Sequence, residues 1–221
     1  MGSDVLRVRG NCRYTLCMQS ASVTRGHGLL EHFLSCKRAA MADALIGDHG
    51  PRGRILDVGC GSFPLFLEQA RFREKFGIDQ LVNDVQKDEW ARRSIMLIQW
   101  NFVRESVFPF PDDHFDVVTM LAVFEHIEKP RLVPMVSEIR RMLRPGGIYV
   151  LTTPAGWTDP ILLILSRLRL LSHAEIDEHK ETHTRESIAK ILFQAGFLRK
   201  NVTTGSFECG MNLWAKATKT S

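Results

Sequence analysis

No stretch of this chain reaches the run of about 18 apolar residues that a membrane-spanning helix needs, which argues against a helical span. It also lacks a block of like charge. Its 29 basic and 25 acidic residues are interspersed and sum to +4, so nucleic acid is not an expected partner. The five cysteines, Cys12, Cys17, Cys36, Cys60 and Cys209, are odd in number and include no CxxC pair. That argues against both a disulfide framework and a zinc knuckle, and reduced thiols in a cytoplasmic protein are the expectation. Met1 to Gly10 carries arginines without the apolar core of a signal peptide, and Leu6 stands where myristoylation wants Ser or Thr. Internal repeats and low-complexity tracts are absent too.

What remains is an ordinary globular composition, 44% hydrophobic and 24% charged over 221 residues, enough for one α/β domain. The expected division is a lead-in over 1–28 and a single domain over 29–221. Apolar spacing predicts a helix from Leu29 to Leu45, and a cluster of turn formers from Gly47 to Gly53 then launches the strand Arg54–Gly59. Helical and strand patterns alternate after that: helix 64–73, strand 75–79, helix 83–92, strand 95–100, strand 115–121, helix 131–143 and strand 147–153. Such alternation implies βαβ units and a parallel sheet buried on both faces. Pro145-Gly146-Gly147 is read as the turn before the fifth strand. An insertion over about 154–183 reads as a lid, and a helix over 185–195 precedes two closing strands, 197–204 and 207–217, antiparallel across a Gly-Ser turn.

The chemistry-bearing signals sit at strand ends. Gly59 and Gly61, just after the first strand, permit a tight turn and close approach of backbone to a ligand. A dinucleotide fingerprint would continue to a third glycine, but here Pro64 stands there. Asp57, two residues before Gly59, would repel a pyrophosphate and suits a cationic group. Asp79, eighteen residues past Gly61 at the end of the second strand, is placed to accept hydrogen bonds from a ribose diol.

Together the segments Asp57-Val-Gly-Cys-Gly61, Gly77-Ile-Asp79, Pro109-Phe-Pro-Asp-Asp-His-Phe-Asp116, Ala122-Val-Phe-Glu-His126 and Leu143-Arg-Pro-Gly-Gly147 resemble the class I S-adenosylmethionine-dependent methyltransferases, in particular their type 11 small-molecule branch. The resemblance covers about residues 53–153, and Ala195-Gly-Phe197 with the closing strands also fits. It implies an α/β, Rossmann-like seven-stranded mostly parallel sheet of order 3-2-1-4-5-7-6, strand 7 antiparallel, with helices on both faces. It implies S-adenosyl-L-methionine as cofactor. Asp57, Gly59, Cys60 and Gly61 would hold its methionine part, Asp79 and Gln80 its ribose, Asn101 and Phe102 its adenine, and the backbone of Leu121 its amino group. One departure stands out: the family places an Asp about five residues before Pro-Phe-Pro, whereas Asn101 lies eight before Pro109.

For catalysis the candidates are His126, after the fourth strand, with His179 and His183 in the insertion. His126 reads equally as a loop histidine, and Glu125 shares that ambiguity. The charged histidine-rich stretch around His179 and His183 reads first as solvated loop; without an HExxH motif no metal is expected. The Ile161–Leu171 run, with Arg167 and Arg169, is open to three readings: a buried lid helix, which is preferred, an apolar wall for an acceptor, or a peripheral membrane contact. The expected activity is methyl transfer, at oxygen before carbon or nitrogen, to a small-molecule or carrier-linked acceptor. A nicotinamide-dependent oxidoreductase and a non-catalytic binding module are the alternatives.

Overall fold

The structure, a computed structural model, describes residues 29–47, 53–101, 104–105, 107–156 and 183–220, with side chains from residue 33 onward. The lead-in over 1–28, Phe102, His179, the Ile161–Leu171 run and most of the 154–183 insertion lie outside the described residues.

Helix α1 (Leu29–Ile46) is followed by β1 (Arg54–Val58), α2 (Leu65–Gln69), β2 (Glu74–Asp79), α3 (Asp84–Ala91), β3 (Ile95–Gln99) and β4 (Phe115–Leu121). Then come α4 (Lys129–Met142), β5 (Leu143–Pro154), α5 (Arg185–Gln194), β6 (Val202–Phe207) and β7 (Asn212–Thr218). The seven strands form one sheet in the order β3-β2-β1-β4-β5-β7-β6, with β7 antiparallel to both of its neighbours and the other pairings parallel. That is the topology implied by the resemblance.

Successive strand residues point to opposite faces, and both faces are buried, which is why the central strands read as nearly unbroken apolar runs. On one face Val118, Met120, Tyr149 and Leu151 pack with Leu132, Val136 and Ile139 of α4 and Ile188 and Leu192 of α5. On the other, Ile55, Val117, Ile148 and Val150 pack with Ala39, Ala42 and Leu45 of α1 and Trp90 of α3. Lys216 of β7 ties α1 down: its Nζ donates to the Leu45 carbonyl at 2.6 Å, near the end of the helix where a cation is favoured.

Three expectations are corrected. Helix α2 has five residues instead of ten: Ala70 turns extended, and the Arg73 and Glu74 N–H groups donate to the Gly53 carbonyl, drawing the chain into β2 beside β1. Pro145-Gly146-Gly147 lies inside β5. Leu143 already pairs with Phe115, and the register shifts before Ile148 pairs with Val117, so the Pro-Gly-Gly segment forms a bulge within the strand. Finally, Gly205-Ser206 is strand and not turn. Gly205 pairs with Trp214, and a Cβ on it would stand 2.4 Å from the indole; the missing side chain makes room for the ring. The reversal comes later, where Glu208, Cys209 and Gly210 all take left-handed φ values of 52°, 56° and 86°.

Candidate functional site

The chain runs from β1 outward through β2 to β3, then crosses to β4 on the other side of β1. At such a switch point the loops after neighbouring strands diverge and open a crevice at the strand carboxyl ends. Asp57, Asp79 and Leu121 stand at these ends.

The turn after β1 needs its glycines. Gly59 and Gly61 adopt φ of +77° and +68°, and the Gly59 N–H donates to the Ile78 carbonyl at 2.8 Å. A Cβ on Gly59 would lie 2.3 Å from Val123 Cγ2, so the segment after β4 packs directly on this turn. Gly77 makes similar room for the Cys60 sulfur, which would stand 2.6 Å from a Cβ there. Burial, reinforced by Asp57 and Asp79, pushes the Cys60 thiol well above its ordinary range, which favours the protonated thiol.

Asp79, 5% exposed, faces this turn. Its Oδ2 accepts the Gly61 N–H at 3.0 Å and its Oδ1 the Leu81 N–H at 2.8 Å. Asp57, also 5% exposed, accepts the Thr119 hydroxyl at 2.6 Å. Burial raises the Asp57 carboxyl to about 7; the Thr119 bond opposes the rise and the Asp79 charge adds to it. Two buried carboxylates thus converge on a glycine turn, and no cation among the described residues contributes to the setting of Asp57. This set of acceptors fits a positively charged ligand carrying a diol. Thr119 escaped the sequence reading, although a lone hydroxyl in Phe-Asp-Val-Val-Thr-Met-Leu was a signal for a buried polar partner.

The adenine-side residues are arranged less simply. The Gln80 carbonyl accepts from Gln99 Nε2 at 3.4 Å, joining the ends of β2 and β3. Asn101 Oδ1, the oxygen expected to receive an adenine amine, accepts the Arg104 N–H at 3.2 Å, while the Asn101 carbonyl accepts from Arg104 and Glu105. This side chain therefore closes a local turn, a common use of Asn that competes with a ligand role.

Leu121 ends β4 half-buried, opposite Thr152 of β5. Ala122 follows with φ +55°, a strained value for a non-glycine residue, and turns the chain into a short 3-10 segment, Phe124–His126. Glu125 and His126, indistinguishable in sequence, separate here. Glu125 is 3% exposed and accepts the Thr153 hydroxyl at 2.9 Å, whereas His126 remains partly exposed. Replacing Thr153 by Val should leave the buried Glu125 carboxylate without that donor. A loss of about 2 kcal/mol in urea-denaturation stability is expected, against little change if the pair were exposed.

The solvated-loop reading of His183 is overturned. His183 is 2% exposed, forms a parallel bridge with Ala155, accepts the Gly156 N–H through its carbonyl, and sets its ring edge-on to Phe124 at 4.8 Å. With Ala155, Gly156, Thr184, Arg185 and Leu213 it lines a cavity of about 380 Å³. Two of the three candidate histidines therefore meet at the segment after β4: His126 lies in it and His183 packs on its phenylalanine. Among the described residues, no helix is long and apolar enough to cross a membrane.

Residues 30–198 match the family model described as a methyltransferase domain. A sterol 24-C-methyltransferase from Gibberella zeae is 32% identical over 107 residues, 45% of this chain and 27% of the relative. A ubiquinone biosynthesis O-methyltransferase from Psychrobacter arcticus is 28% identical over 162 residues, 67% of this chain and 60% of the relative. The chain thus spans less than two thirds of the length of these curated relatives. Among solved structures, an S-adenosylmethionine-dependent methyltransferase from Thermotoga maritima superposes with a TM-score of 0.63 at 15% identity, covering 86% of this chain and 91% of that one. At that identity the likeness speaks for the fold.

Proposed function

The chain belongs to the methyltransferase-domain family, the class I S-adenosylmethionine-dependent methyltransferases, and on that premise we propose that it methylates a small-molecule or carrier-linked acceptor at oxygen. The observation that carries the cofactor side is the convergence of Asp57 and Asp79 on the Gly59–Gly61 turn. When bound, S-adenosylmethionine supplies an electrophilic methyl group on a positively charged sulfur.

The residues divide the work by chemistry. Gly59 and Gly61, lacking Cβ atoms, let backbone approach the methionine part, and Asp57 offers its ammonium group a counter-charge. Asp79 would hold the ribose diol, with Gln80 beside it. The Leu121 backbone, at the end of β4, would hold the amino group. Holding two reactants together supplies much of the rate of a displacement, so a dedicated base is an addition to this machinery and not its core. His126, partly exposed after β4, is the residue proposed to receive the proton that an acceptor hydroxyl gives up. His183, being buried, is proposed to act through Phe124 by fixing the segment that carries His126.

The acceptor reading draws support from the relatives' names, a sterol 24-C-methyltransferase and a ubiquinone biosynthesis O-methyltransferase, of which the second supports oxygen. Incubating the protein with S-adenosylmethionine and panels of small phenols, amines and enolisable carbon acids tests it. S-adenosylhomocysteine formed only with the phenols is the expected result; turnover confined to amines or carbon acids would overturn oxygen as the methylated atom. Replacing His126 by Ala should then lower kcat about a hundredfold with the affinity for S-adenosylhomocysteine unchanged.

A further inference from the structure

Asp57 is a buried acid with no cationic partner among the described residues. From β4 comes the neutral Thr119 hydroxyl, from the end of β2 the like charge of Asp79, and on its own turn the Cys60 thiol. The buried side chains of α1 on this face are apolar apart from the Cys36 thiol, and the α1 cations Lys37 and Arg38 bear on Glu208 in the β6–β7 hairpin instead. On α2, Glu68 is engaged with Arg93.

Resting on the cofactor reading above, we infer that cofactor binding is coupled to the loss of one proton from Asp57: the free turn keeps this carboxyl protonated, and the ammonium group at the amino-acid end of the ligand replaces the proton as its counter-charge. The O–H bond of the carboxyl breaks, its electron pair stays on the carboxylate, and the proton passes to solvent. No other bond changes.

In the free protein the carboxyl holds its proton below about pH 7, because burial outweighs the Thr119 hydrogen bond that favours the charged form. In the complex the cation favours the carboxylate. Binding therefore releases a proton on the acid side, affinity falls about tenfold per pH unit there, and it levels off above neutrality.

Calorimetric titration of the full chain with S-adenosylhomocysteine, repeated in two buffers of different ionisation enthalpy, counts the protons. About one should be released at about pH 6 and a small fraction at about pH 7.5, with affinity roughly tenfold weaker at the acid condition. Asp57→Asn should abolish both the release and the slope. Thr119→Val removes the donor that favours the charged form, so its release should persist to higher pH than in the parent protein. Tight binding with no proton released at either pH overturns the inference and leaves the cofactor reading standing. No binding at any pH overturns both.

Discussion

Replacing Asp79 by Ala is expected to weaken S-adenosylhomocysteine binding about a hundredfold, as read by titration calorimetry. Hydrogen bonds to a charged group are each worth about 1.5–3 kcal/mol, and a ribose diol would donate two of them. A loss near 3 kcal/mol is about two decades in affinity. The substitution also strips the Gly61 and Leu81 N–H groups of their acceptor, so the turn that meets the ligand loosens at the same time. Asp79→Asn separates the two effects. Its amide oxygen can still accept one of these backbone donors while the charge is gone, so an intermediate loss is expected. An affinity unchanged in both variants would remove Asp79 from the site.

Gly59→Ala is the second large effect, and it concerns the fold before the ligand. The left-handed φ of +77° costs an L-residue roughly 1–2 kcal/mol, and a Cβ 2.3 Å from Val123 Cγ2 forces an overpacking shift worth roughly 1–3 more. A destabilisation of about 3 kcal/mol should lower Tm by roughly 6–12 °C in a chain of this size. Gly146→Ala is the internal control: φ there is +79°, but nothing lies within 4 Å of the added carbon, so only the backbone part should appear. Removing the obstructing methyls in Gly59→Ala/Val123→Ala should recover part of the loss, and the non-additivity of that cycle measures the clash. Equal melting of Gly59→Ala and Gly146→Ala would show that the packing of the β4 segment on the turn is not what demands glycine.

The parts of this molecule legible in its sequence are those with local causes. Strand, turn and carboxylate follow one another within Arg54–Gly61 and again within Glu74–Asp79, and both segments fold as they read. The misreadings share a different cause: the deciding partner lies far along the chain. Gly205 looks like a turn glycine until Trp214, nine residues on, is seen lying against it. Pro145-Gly146-Gly147 looks like a helix stop, and the helix does end nearby, but pairing of Leu143 with Phe115 pulls the segment into the sheet. His183 sits in a stretch of charged residues and is nonetheless buried, because a bridge to Ala155 draws it under Phe124. Thr119 gains its meaning only when β4 aligns with β1 and sets its hydroxyl on Asp57.

A nucleoside cradle is expected at the carboxyl ends of β1 and β2, and a crystal structure of the chain soaked with S-adenosylhomocysteine measures it directly. The ribose hydroxyls should lie within hydrogen-bond distance of the Asp79 carboxylate and the amino-acid end against the Gly59–Gly61 turn beside Asp57. A nucleoside bound elsewhere on the molecule, with Asp79 still satisfied only by the Gly61 and Leu81 amides, would contradict it.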